Sequence, residues 1–344
     1  MNIPQALAQI VEGNDLSQDD AAAVFLQIMS GEATSGQIGA LLAALRVKGE
    51  TAEEIAGAAL TMRALSTKVP AASETLVDTC GTGGSGSKLF NISTAAAFVA
   101  ASAGAKVAKH GNRKMTSFSG SADVLEAAGV SLSLTPEQVA TCIDEIGIGF
   151  MFAQAHHSAM RFAGPIRQEI GIRTLMNVLG PMTNPAGAKR QVIGVFSRDW
   201  QRKIAEVLKL LGSQHAMVVH SDGLDEFRLD APTHVVELKD GAITEYDIEP
   251  AQLDLDPRTA ADLAGIVADS AESSLALVKQ SLTDDTSAAA DIVALNAGAA
   301  IYVGGIANSL KNGVVMAQDA ISSGQAKERL AELVRITSLM AESL

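Results

Sequence analysis

Several residue types are scarce in this sequence, and each shortage excludes a class of protein. Only two cysteines, Cys80 and Cys142, occur in 344 residues, too few for a disulfide framework. Aromatic residues make up 3% of a chain that is 47% hydrophobic, which indicates an aliphatic core large enough for two domains. The sequence does not open with a basic stretch followed by an apolar one, and its most apolar windows, such as residues 95–103, are far shorter than the ~20 residues that span a bilayer. We expect a reduced, cytoplasmic protein that does not enter membranes.

Positive charge is also scarce, except in one segment. The chain holds 26 Lys and Arg against 39 Asp and Glu, and this net charge of −13 disfavours binding to nucleic acid or anionic membranes. Between Asp78 and Asp123, however, there is no acidic residue, where the average composition would give roughly five. The cations of this segment are Lys88, Lys106, Lys109, Arg113 and Lys114. The pattern predicts a site for a compact polyanion, and phosphate groups are the simplest candidates.

The first 70 residues carry the local signals of short helices. Capping boxes, which satisfy free amide hydrogens at helix starts, are predicted for Ser17 with Asp20, Thr34 with Gln37, and Thr51 with Glu54. Helix stops are predicted at Gly13, Gly31 and Gly49. These signals indicate a small unit made only of helices.

After Pro70, short β-like runs alternate with helices, which is the pattern of a mostly parallel sheet. Strands are predicted at residues 76–78, 106–108, 130–132, 148–152, 192–196 and 216–219. Helices are predicted at residues 95–103, 136–145, 285–302 and 310–340. The predicted fold class is therefore α/β, with a small all-helical N-terminal domain and a larger α/β domain whose mostly parallel central sheet is flanked by helices.

A glycine-rich run, Gly81-Thr82-Gly83-Gly84-Ser85-Gly86, follows the first predicted strand. It matches the dinucleotide pattern G-x-G-x-x-G, but the next strand ends in Lys109-His110-Gly111 rather than in an acid for a ribose. Lys88 comes one residue too late for a P-loop. A tight glycine turn is the plain alternative. Phosphate binding is favoured because Asn91-Ile92-Ser93-Thr94 opens an apolar helix whose free amides and dipole would face the loop.

A second loop suited to phosphate, residues 109–117, follows the next strand and ends in Gly120-Ser121 at another helix start. Carboxyl ends of parallel strands meet at one sheet edge, so both loops should face one crevice. With these residues the chain resembles the anthranilate phosphoribosyltransferase family of tryptophan biosynthesis over essentially its whole length. The matching segments are residues 78–84 (DTCGTGG), 91–94 (NIST), 109–113 (KHGNR), 120–126 (GSADVLE), 163–167 (AGPIR), 177–185 (NVLGPMTNP) and 222–226 (DGLDE).

This resemblance implies transfer of a phosphoribosyl group from phosphoribosyl pyrophosphate to the amine of anthranilate, with release of pyrophosphate and a requirement for Mg²⁺. It also implies a homodimer formed through the helical domain. The implied domains are residues 1–70 with about 165–186, and residues 71–164 with 187–344. Hinges near Pro70, Gly164 and Pro185 would let these domains close on the substrates.

The resemblance further implies three groups of site residues. Phosphoribosyl pyrophosphate would be bound by Gly81, Gly83, Gly84, Ser85, Leu89, Asn91, Ile92, Ser93, Thr94, Lys109, His110, Gly111, Asn112, Arg113, Lys114, Met115, Thr116, Ser117 and Ser121. Anthranilate would be bound by Gly81, His110, Asn112, His156, Arg167, Gly180 and Pro181, with His157 a further candidate for the channel wall. Magnesium would be held by Ser93, Asp225 and Glu226.

The chemistry of these residue types suits those roles. Glycine amides can approach a pyrophosphate closely, and the planar fork of Arg167 can pair with a carboxylate. One hydroxyl and two carboxylates suit Mg²⁺, which prefers oxygen ligands. The plain alternatives are a solvated acidic turn for Asp225-Glu226 and a surface arginine for Arg167. Arg161 and Arg173 are interpreted as surface residues. We assign no general base, because an aromatic amine is neutral at cellular pH.

Some positions depart from the family pattern, which usually has an acid at Ser85, Thr or Ser at Leu89, and Lys at Phe118. Lys114 and Met115 also occupy places that the family usually fills with small or apolar residues. Two alternatives stay open. The first is a pyrimidine nucleoside phosphorylase of the same architecture, which residues 109–113 disfavour. The second is an inactive relative that binds phosphoribosyl compounds or nucleic acid, which the acidic composition disfavours.

Overall fold

The computed structural model describes residues 1–84, 86, 88–114, 118–255 and 258–342. Its α-helices are α1 (Ile3–Val11), α2 (Gln18–Met29), α3 (Ser35–Lys48), α4 (Ala52–Leu65), α5 (Ile92–Ser102), α6 (Ser121–Ala127), α7 (Pro136–Ile146), α8 (Ala153–His156), α9 (Gly164–Ile170), α10 (Asp199–Leu210), α11 (Ala260–Ala264), α12 (Ala271–Ser281), α13 (Ala288–Val303), α14 (Leu310–Ser322) and α15 (Gln325–Ala341). Its strands are β1 (Leu76–Gly81), β2 (Lys106–Gly111), β3 (Ile148–Phe152), β4 (Arg190–Gly194), β5 (His215–His220), β6 (Thr233–Lys239) and β7 (Ala242–Ile248). Short 3-10 turns occupy Ser158–Arg161, Leu175–Asn177, Gly180–Met182 and Pro250–Leu253.

The helical opening forms as its capping signals predict. Thr34 and Thr51 each accept a hydrogen bond from the third helical amide, and the side chains of Gln37 and Glu54 return a bond to the cap backbone. Ser17 accepts from the Asp20 amide, which caps α2. Because a left-handed residue ends a helix most cheaply when it is glycine, Gly31 and Gly49, with φ of 78° and 91°, stop α2 and α3.

The sheet has the strand order β3-β2-β1-β4-β5-β6-β7 among the described residues. Strands β1 to β5 run parallel, and β6 and β7 add an antiparallel edge. The chain leaves β1 toward β2 and β3, then returns to the other side of β1 as β4. The strand order therefore reverses between β1 and β4, and such a switch point is where open α/β sheets bind ligands.

Both faces of the central strands are covered, so β4 and β5 are buried on both sides. Val192 and Met217 point into a core formed with α5, α13 and α14. The next residues in each strand, Ile193 and Val218, point into a second core with α1–α4 and α10. This second core also contains part of the 163–182 segment, although the domain boundaries given above stay a prediction. In the described part of the chain, no helix is both long and apolar enough to cross a membrane.

Three sequence expectations about elements were wrong or incomplete. Residues 130–132 form no strand, because Val130 is a core anchor and the Ser131 amide donates to the Thr337 hydroxyl instead of to a strand. The predicted helix over 310–340 is two helices, since Gly324 adopts a φ of 77° between α14 and α15. The hairpin β6–β7 was missed. Its turn is Asp240-Gly241, with φ of 49° and 81°, a pair that favours a two-residue hairpin turn.

Candidate active site

A cavity of about 1060 Å³ opens at the carboxyl ends of the parallel strands. Four parts of the chain line it: the loop after β1, the loop after β2, the segment between β3 and β4, and the turn after β5. Because these connections leave the same sheet edge, residues far apart in sequence face one volume. The two predicted phosphate loops therefore share one crevice.

The loop after β1 begins at the switch point of the sheet. Gly81 pairs in register with Gly194 of β4, and the Thr82 amide donates to the Gly194 carbonyl at 2.9 Å. A Cβ on Gly81 would lie 2.9 Å from the Asp225 Oδ2 atom, so a side chain there would displace the carboxylate. Gly83 and Gly84 have positive φ, which opens their backbone toward the cavity at no steric cost. Main-chain groups thus form this wall.

The loop after β2 is tightly packed onto the start of α6. A Cβ on Gly111 would lie 2.1 Å from the Ser121 hydroxyl, and one on Gly120 would lie 2.4 Å from the Asn112 carbonyl oxygen. Two cations of this loop, Lys109 and Arg113, already have partners. Lys109 Nζ is buried and donates to the Thr79 carbonyl at 2.5 Å. Arg113 forms ion pairs with Asp123 at 3.2 Å and Glu126 at 2.6 Å.

Asn91 departs from its expected role as a helix cap. It stands at the N-cap of α5 but makes no side-chain cap bond. Its amide oxygen accepts from the hydroxyls of Ser119 at 2.6 Å and Ser274 at 2.7 Å. Since Ser119 belongs to the loop after β2 and Ser274 to α12, Asn91 joins the two phosphate loops to each other and to the core.

An acidic pair follows β5 and faces the start of α5. Ser93 bonds the Glu226 carboxyl group through its amide and its hydroxyl, and Lys109 lies close enough to stabilise its charge. Burial and the neighbouring Asp225 carboxylate nevertheless raise the pKa of Glu226 to about 8. Two carboxylates held together in this way favour a cation. The described residues contain no cluster of three or more His, Cys, Asp or Glu for a metal, so oxygen atoms of Ser93 or of a substrate would have to complete the ligand set.

Two buried histidines stand where the loop after β2 meets the 153–183 segment. The rings of His110 and His157 are 5.1 Å apart, and each makes a hydrogen bond to backbone in the 180–183 segment. Burial lowers the pKa of His110 to about 3 and that of His157 to about 4, with each other's proximity adding to the effect for His110. Both imidazoles are therefore neutral near pH 7. Within the described chain, their Nε2 atoms are buried without a hydrogen-bond partner.

His156, predicted for the acceptor site, points the other way. Its Nδ1 atom is 2.9 Å from the Thr67 carbonyl oxygen, and it does not line the cavity, whereas His157 does. Successive residues in a helical turn project in different directions, so only one of the two can face the cavity. The channel-wall position therefore belongs to His157.

Three arginines line the acceptor side, where one was predicted. Arg167 on α9 is half-buried, and burial lowers its guanidinium pKa from its ordinary value without removing the charge. Arg173 donates to the Gly84 carbonyl, and Arg161 stacks on Phe162 at 4.6 Å. Arg161 and Arg173 are exposed, as predicted for surface residues, and both also line the cavity. Arg173 lies between the 163–167 and 177–185 motifs, and Arg161 lies just before the first of them.

Most of the predicted site residues that are described line the cavity. They are Gly81, Gly83, Gly84, Leu89, Asn91, Ile92, Ser93, Lys109, His110, Gly111, Asn112, Arg113, Ser121, Arg167, Gly180, Pro181, Asp225 and Glu226. Thr94 and Lys114 do not line it: Thr94 is buried within α5, and the Lys114 amide donates to Asp123. Ser85, Met115, Thr116 and Ser117 lie outside the described residues. Phe118 is 45% exposed, beneath the Lys88 ammonium at 5.6 Å.

Comparison with known proteins places this architecture in one family. The model described as "Glycosyl transferase family, a/b domain" matches residues 73–327, and "Glycosyl transferase family, helical bundle domain" matches residues 4–66. Anthranilate phosphoribosyltransferase from Teredinibacter turnerae is 57% identical, with 98% of this chain and 100% of that protein covered. The crystal structure of this enzyme from Thermus thermophilus has a TM-score of 0.91 at 41% identity, covering 97% of this chain and 99% of the other. The Saccharomyces cerevisiae enzyme in complex with PRPP and Mg has a TM-score of 0.87 at 25% identity, covering 98% of each chain. The chain belongs to the anthranilate phosphoribosyltransferase family.

Proposed function

We propose that this protein transfers the phosphoribosyl group from phosphoribosyl pyrophosphate to the amine of anthranilate. The bond from the ribose anomeric carbon to pyrophosphate breaks, a bond from that carbon to the amine nitrogen forms, and the nitrogen gives up one proton. The observation that carries the proposal is the convergence on one cavity of two glycine-containing loops, an acidic pair and a half-buried arginine. Curated relatives that share 57% and 55% identity with the chain carry the name of this enzyme.

The donor's pyrophosphate would lie against the loop after β1. The positive φ of Gly83 and Gly84 turns their backbone toward the cavity, and the N-terminus of α5 adds its dipole. Ser121 and the Asn112 region would contact the remaining phosphate. Lys109 is fully enclosed, so it contributes positive potential at short range while its ammonium group remains bonded to Thr79.

The acidic pair fits a magnesium site. A carboxyl group whose pKa is raised to about 8 by burial and by an adjacent carboxylate is stabilised by any cation that binds between the two. Ser93, Asp225 and Glu226 would hold the ion, with donor phosphates as further ligands. When bound, Mg²⁺ would neutralise charge on the leaving pyrophosphate. Gly81 keeps room beside the Asp225 carboxylate, since a Cβ there would meet Oδ2 at 2.9 Å.

The acceptor would occupy the side formed by residues 153–183. Arg167 would pair with the carboxylate of anthranilate through two parallel hydrogen bonds. His110 and His157, whose imidazoles are neutral near pH 7, would form the wall beside the amine. This arrangement would direct the amine lone pair toward the sugar, and in favourable models alignment is worth up to roughly 7 to 11 kcal/mol.

One assay tests the proposal against its alternatives. Protein, anthranilate, phosphoribosyl pyrophosphate and Mg²⁺ are mixed, and the loss of anthranilate fluorescence is followed. Parallel tubes hold uridine or thymidine with inorganic phosphate. We expect turnover only in the first tube. Nucleoside cleavage would identify a phosphorylase, and donor binding by calorimetry without turnover in any tube would identify an inactive relative.

We also expect a cytoplasmic homodimer formed through α1–α4. The support is membership of the family and a helical surface that exposes Val11 and Val47, which are 72% and 87% accessible. Light scattering at micromolar concentration tests the assembly, and a monomer mass would refute it. Domain closure is a further expectation, and small-angle scattering unchanged by both substrates would count against it.

A further inference from the structure

We infer that Arg173 is a positioning residue that fixes the donor loop after β1 and couples it to the acceptor segment. The inference deepens the proposed function and rests on it. Arg173 bonds the backbone of the loop after β1, while its position in the chain belongs to the acceptor segment, residues 153–183.

The guanidinium lies flat against the glycine loop. It donates from Nη2 to the Gly84 carbonyl. A Cβ on Gly84 would lie 3.1 Å from Nη2 and 3.4 Å from Cζ, so a side chain there would push the guanidinium away by a few tenths of an ångström, and the φ of 81° also favours glycine. A planar group that both covers the Cα atom and binds the carbonyl restricts the rotation of the adjacent peptide. That rotation decides where the neighbouring amide hydrogens point.

The other face of the guanidinium is also fixed. Cζ of Arg173 lies 4.2 Å from the centroid of the Phe196 ring, and Phe196 packs edge-on against Trp200 at 6.3 Å. The Phe196 amide in turn donates to the Thr82 hydroxyl at 3.2 Å, within the same loop. Arg173 is therefore held between the loop and an aromatic pair at the start of α10. A freely solvated arginine would have neither contact.

Along the chain, Arg173 is tied to the acceptor side. It follows α9, which carries Arg167, after a left-handed Gly171 with φ of 69°. On its other side Thr174 is 2% exposed, and its backbone amide donates to the Asn177 side chain at 3.0 Å. This anchor holds the backbone beside Arg173 against the turn Leu175–Asn177, whose Met176 and Asn177 line the same cavity. An acceptor that shifts this segment would act on Gly84, and a donor that reorders Gly84 would act on the segment.

The geometry predicts reciprocal coupling between the two substrates. Coupling free energies are symmetric, so each ligand should tighten the other by the same factor. Arg161 offers a comparison, because it lines the same wall but stacks on its chain neighbour Phe162. The coupling should depend on the arginine that bridges to the glycine loop.

The experiment uses Arg173→Lys and Arg173→Gln in the full chain. The control is Arg202→Gln, a surface arginine paired with Glu206 and Glu245. Calorimetry gives the Kd of Mg²⁺ with phosphoribosyl pyrophosphate in the absence of acceptor. Fluorescence gives the Kd of anthranilate with and without saturating Mg²⁺ and inorganic pyrophosphate. Steady-state rates give kcat and both KM values, and circular dichroism reports folding.

We expect the donor Kd to rise about tenfold in both Arg173 variants, because the loop is no longer pre-organised. Pyrophosphate should tighten anthranilate about fivefold or more in the parent and in Arg202→Gln, and by less than twofold in the Arg173 variants. The KM values should change more than kcat. A merely structural role would lower the active fraction, and hence apparent kcat, at constant KM.

Two other results would overturn the inference. The first is a donor Kd, and a coupling between pyrophosphate and anthranilate, within twofold of the parent in both Arg173 variants. The second is that both Arg173 variants fail to fold while Arg202→Gln folds, since an exposed positioning side chain should not decide folding. If the parent binds the donor but makes no product, only the proposed function is refuted. The donor Kd of the Arg173 variants, compared with that of the parent, then still tests the role of Arg173. A parent that does not bind the donor refutes both.

Discussion

The two halves of the cavity, which we propose bind the donor and the acceptor, present different chemical groups. The donor half, the two loops after β1 and β2 with the turn after β5, presents main chain, hydroxyls and carboxylates. The acceptor half, residues 153–183, presents rings and guanidinium groups on short helical turns. A flexible, heavily charged ligand suits a surface of backbone amides, whereas a rigid aromatic acid suits shaped side chains. The two halves therefore suit different kinds of ligand.

They also handle charge in opposite ways. In the donor half, Arg113 is paired with Asp123 and Glu126, and Lys109 is bonded to Thr79, so these cations are already engaged. There, burial and the Asp225 carboxylate raise the pKa of Glu226 to about 8, which disfavours a second negative charge until a cation binds. In the acceptor half, burial keeps His157 neutral. Donor binding should hence depend on an added cation, and acceptor binding on a fixed arginine.

Removing the acidic pair should give the largest effect and test the donor half most directly. Asp225→Asn and Glu226→Gln are expected to lower kcat/KM by on the order of 10²–10³-fold, because stabilisation of the leaving group is lost. Initial rates are measured across a Mg²⁺ titration, and the titration midpoint should shift upward. Glu206→Gln, an exposed glutamate on α10, is the control. Variants that match the parent at every Mg²⁺ concentration would show that the pair is only a solvated turn.

Changing the acceptor arginine should have the next largest effect. Arg167→Gln is expected to raise the KM for anthranilate by roughly 30–150-fold, the cost of about 2–3 kcal/mol for a charged, bidentate hydrogen bond. The KM for the donor should change little. Arg161→Gln in the same assay is the matched comparison, since its guanidinium lies on the same wall. An anthranilate KM that rises in Arg161→Gln and not in Arg167→Gln would reassign the carboxylate site.

The same comparison explains how far sequence could predict the molecule. Donor-half residues stand in short motifs next to strand ends, so Gly81, Ser93 and Glu226 could be placed from pattern and resemblance. The acceptor half depends on which way a side chain projects from an irregular segment. His156 and His157 are the same residue type at adjacent positions, so the sequence does not tell which of them faces the cavity. The course of the backbone turn decides it. Arg173 carried no motif at all, because its partner, Gly84, is 89 positions away.

The fold class was predicted correctly, and the errors in single elements have a related cause. Capping signals are local, so the helical opening was predicted closely. Whether residues 130–132 pair as a strand depends on a neighbour, and the Ser131 amide finds Thr337 on α15 instead. The hairpin β6–β7 did carry a local signal in Asp240-Gly241 that was not used. The break between α14 and α15 at Gly324 was also a local signal, so a long-range partner decided only residues 130–132.

The neutral histidines predict a pH dependence of stability that belongs to the acceptor half. The pKa of His157 is about 4 in the folded protein, below its ordinary value. Between these two pKa values, the unfolded chain binds a proton at His157 and the folded chain does not. Stability is therefore present above pH ~6.5 and is lost as the pH falls toward 4. In His157→Asn, the free energy of unfolding should change less steeply with pH in this window, by up to roughly 1.4 kcal/mol per pH unit.

Urea unfolding at several pH values measures this slope, and carboxylates common to both proteins cancel in the difference. Ser158→Ala, an exposed neighbour that does not titrate, is the control. The slope, rather than stability at pH 7, is the quantity compared. Equal slopes in the parent and His157→Asn would mean that His157 is not held neutral and that the two halves do not differ in charge as described.

The smallest effect is expected where the donor half departs from the family pattern. Phe118 is 45% exposed beneath Lys88, at 5.6 Å, in a contact worth about 0.5–1 kcal/mol at an exposed site. Phe118→Lys adds a cation to a half in which Lys109 and Arg113 are already engaged. We expect the donor KM to fall roughly threefold at low salt and the gain to disappear at high salt, where exposed charges are screened.

Phe118→Leu separates charge from the ring, because it removes the contact with Lys88 without adding a cation. If the aromatic ring itself supports donor binding, Phe118→Leu should raise the donor KM. The decrease in donor KM in Phe118→Lys should then be smaller than the roughly threefold expected from the added charge. Donor KM is measured for all three proteins at two salt concentrations, with the anthranilate KM as internal reference. An unchanged donor KM in Phe118→Lys at low salt would contradict the view that this half lacks free positive charge.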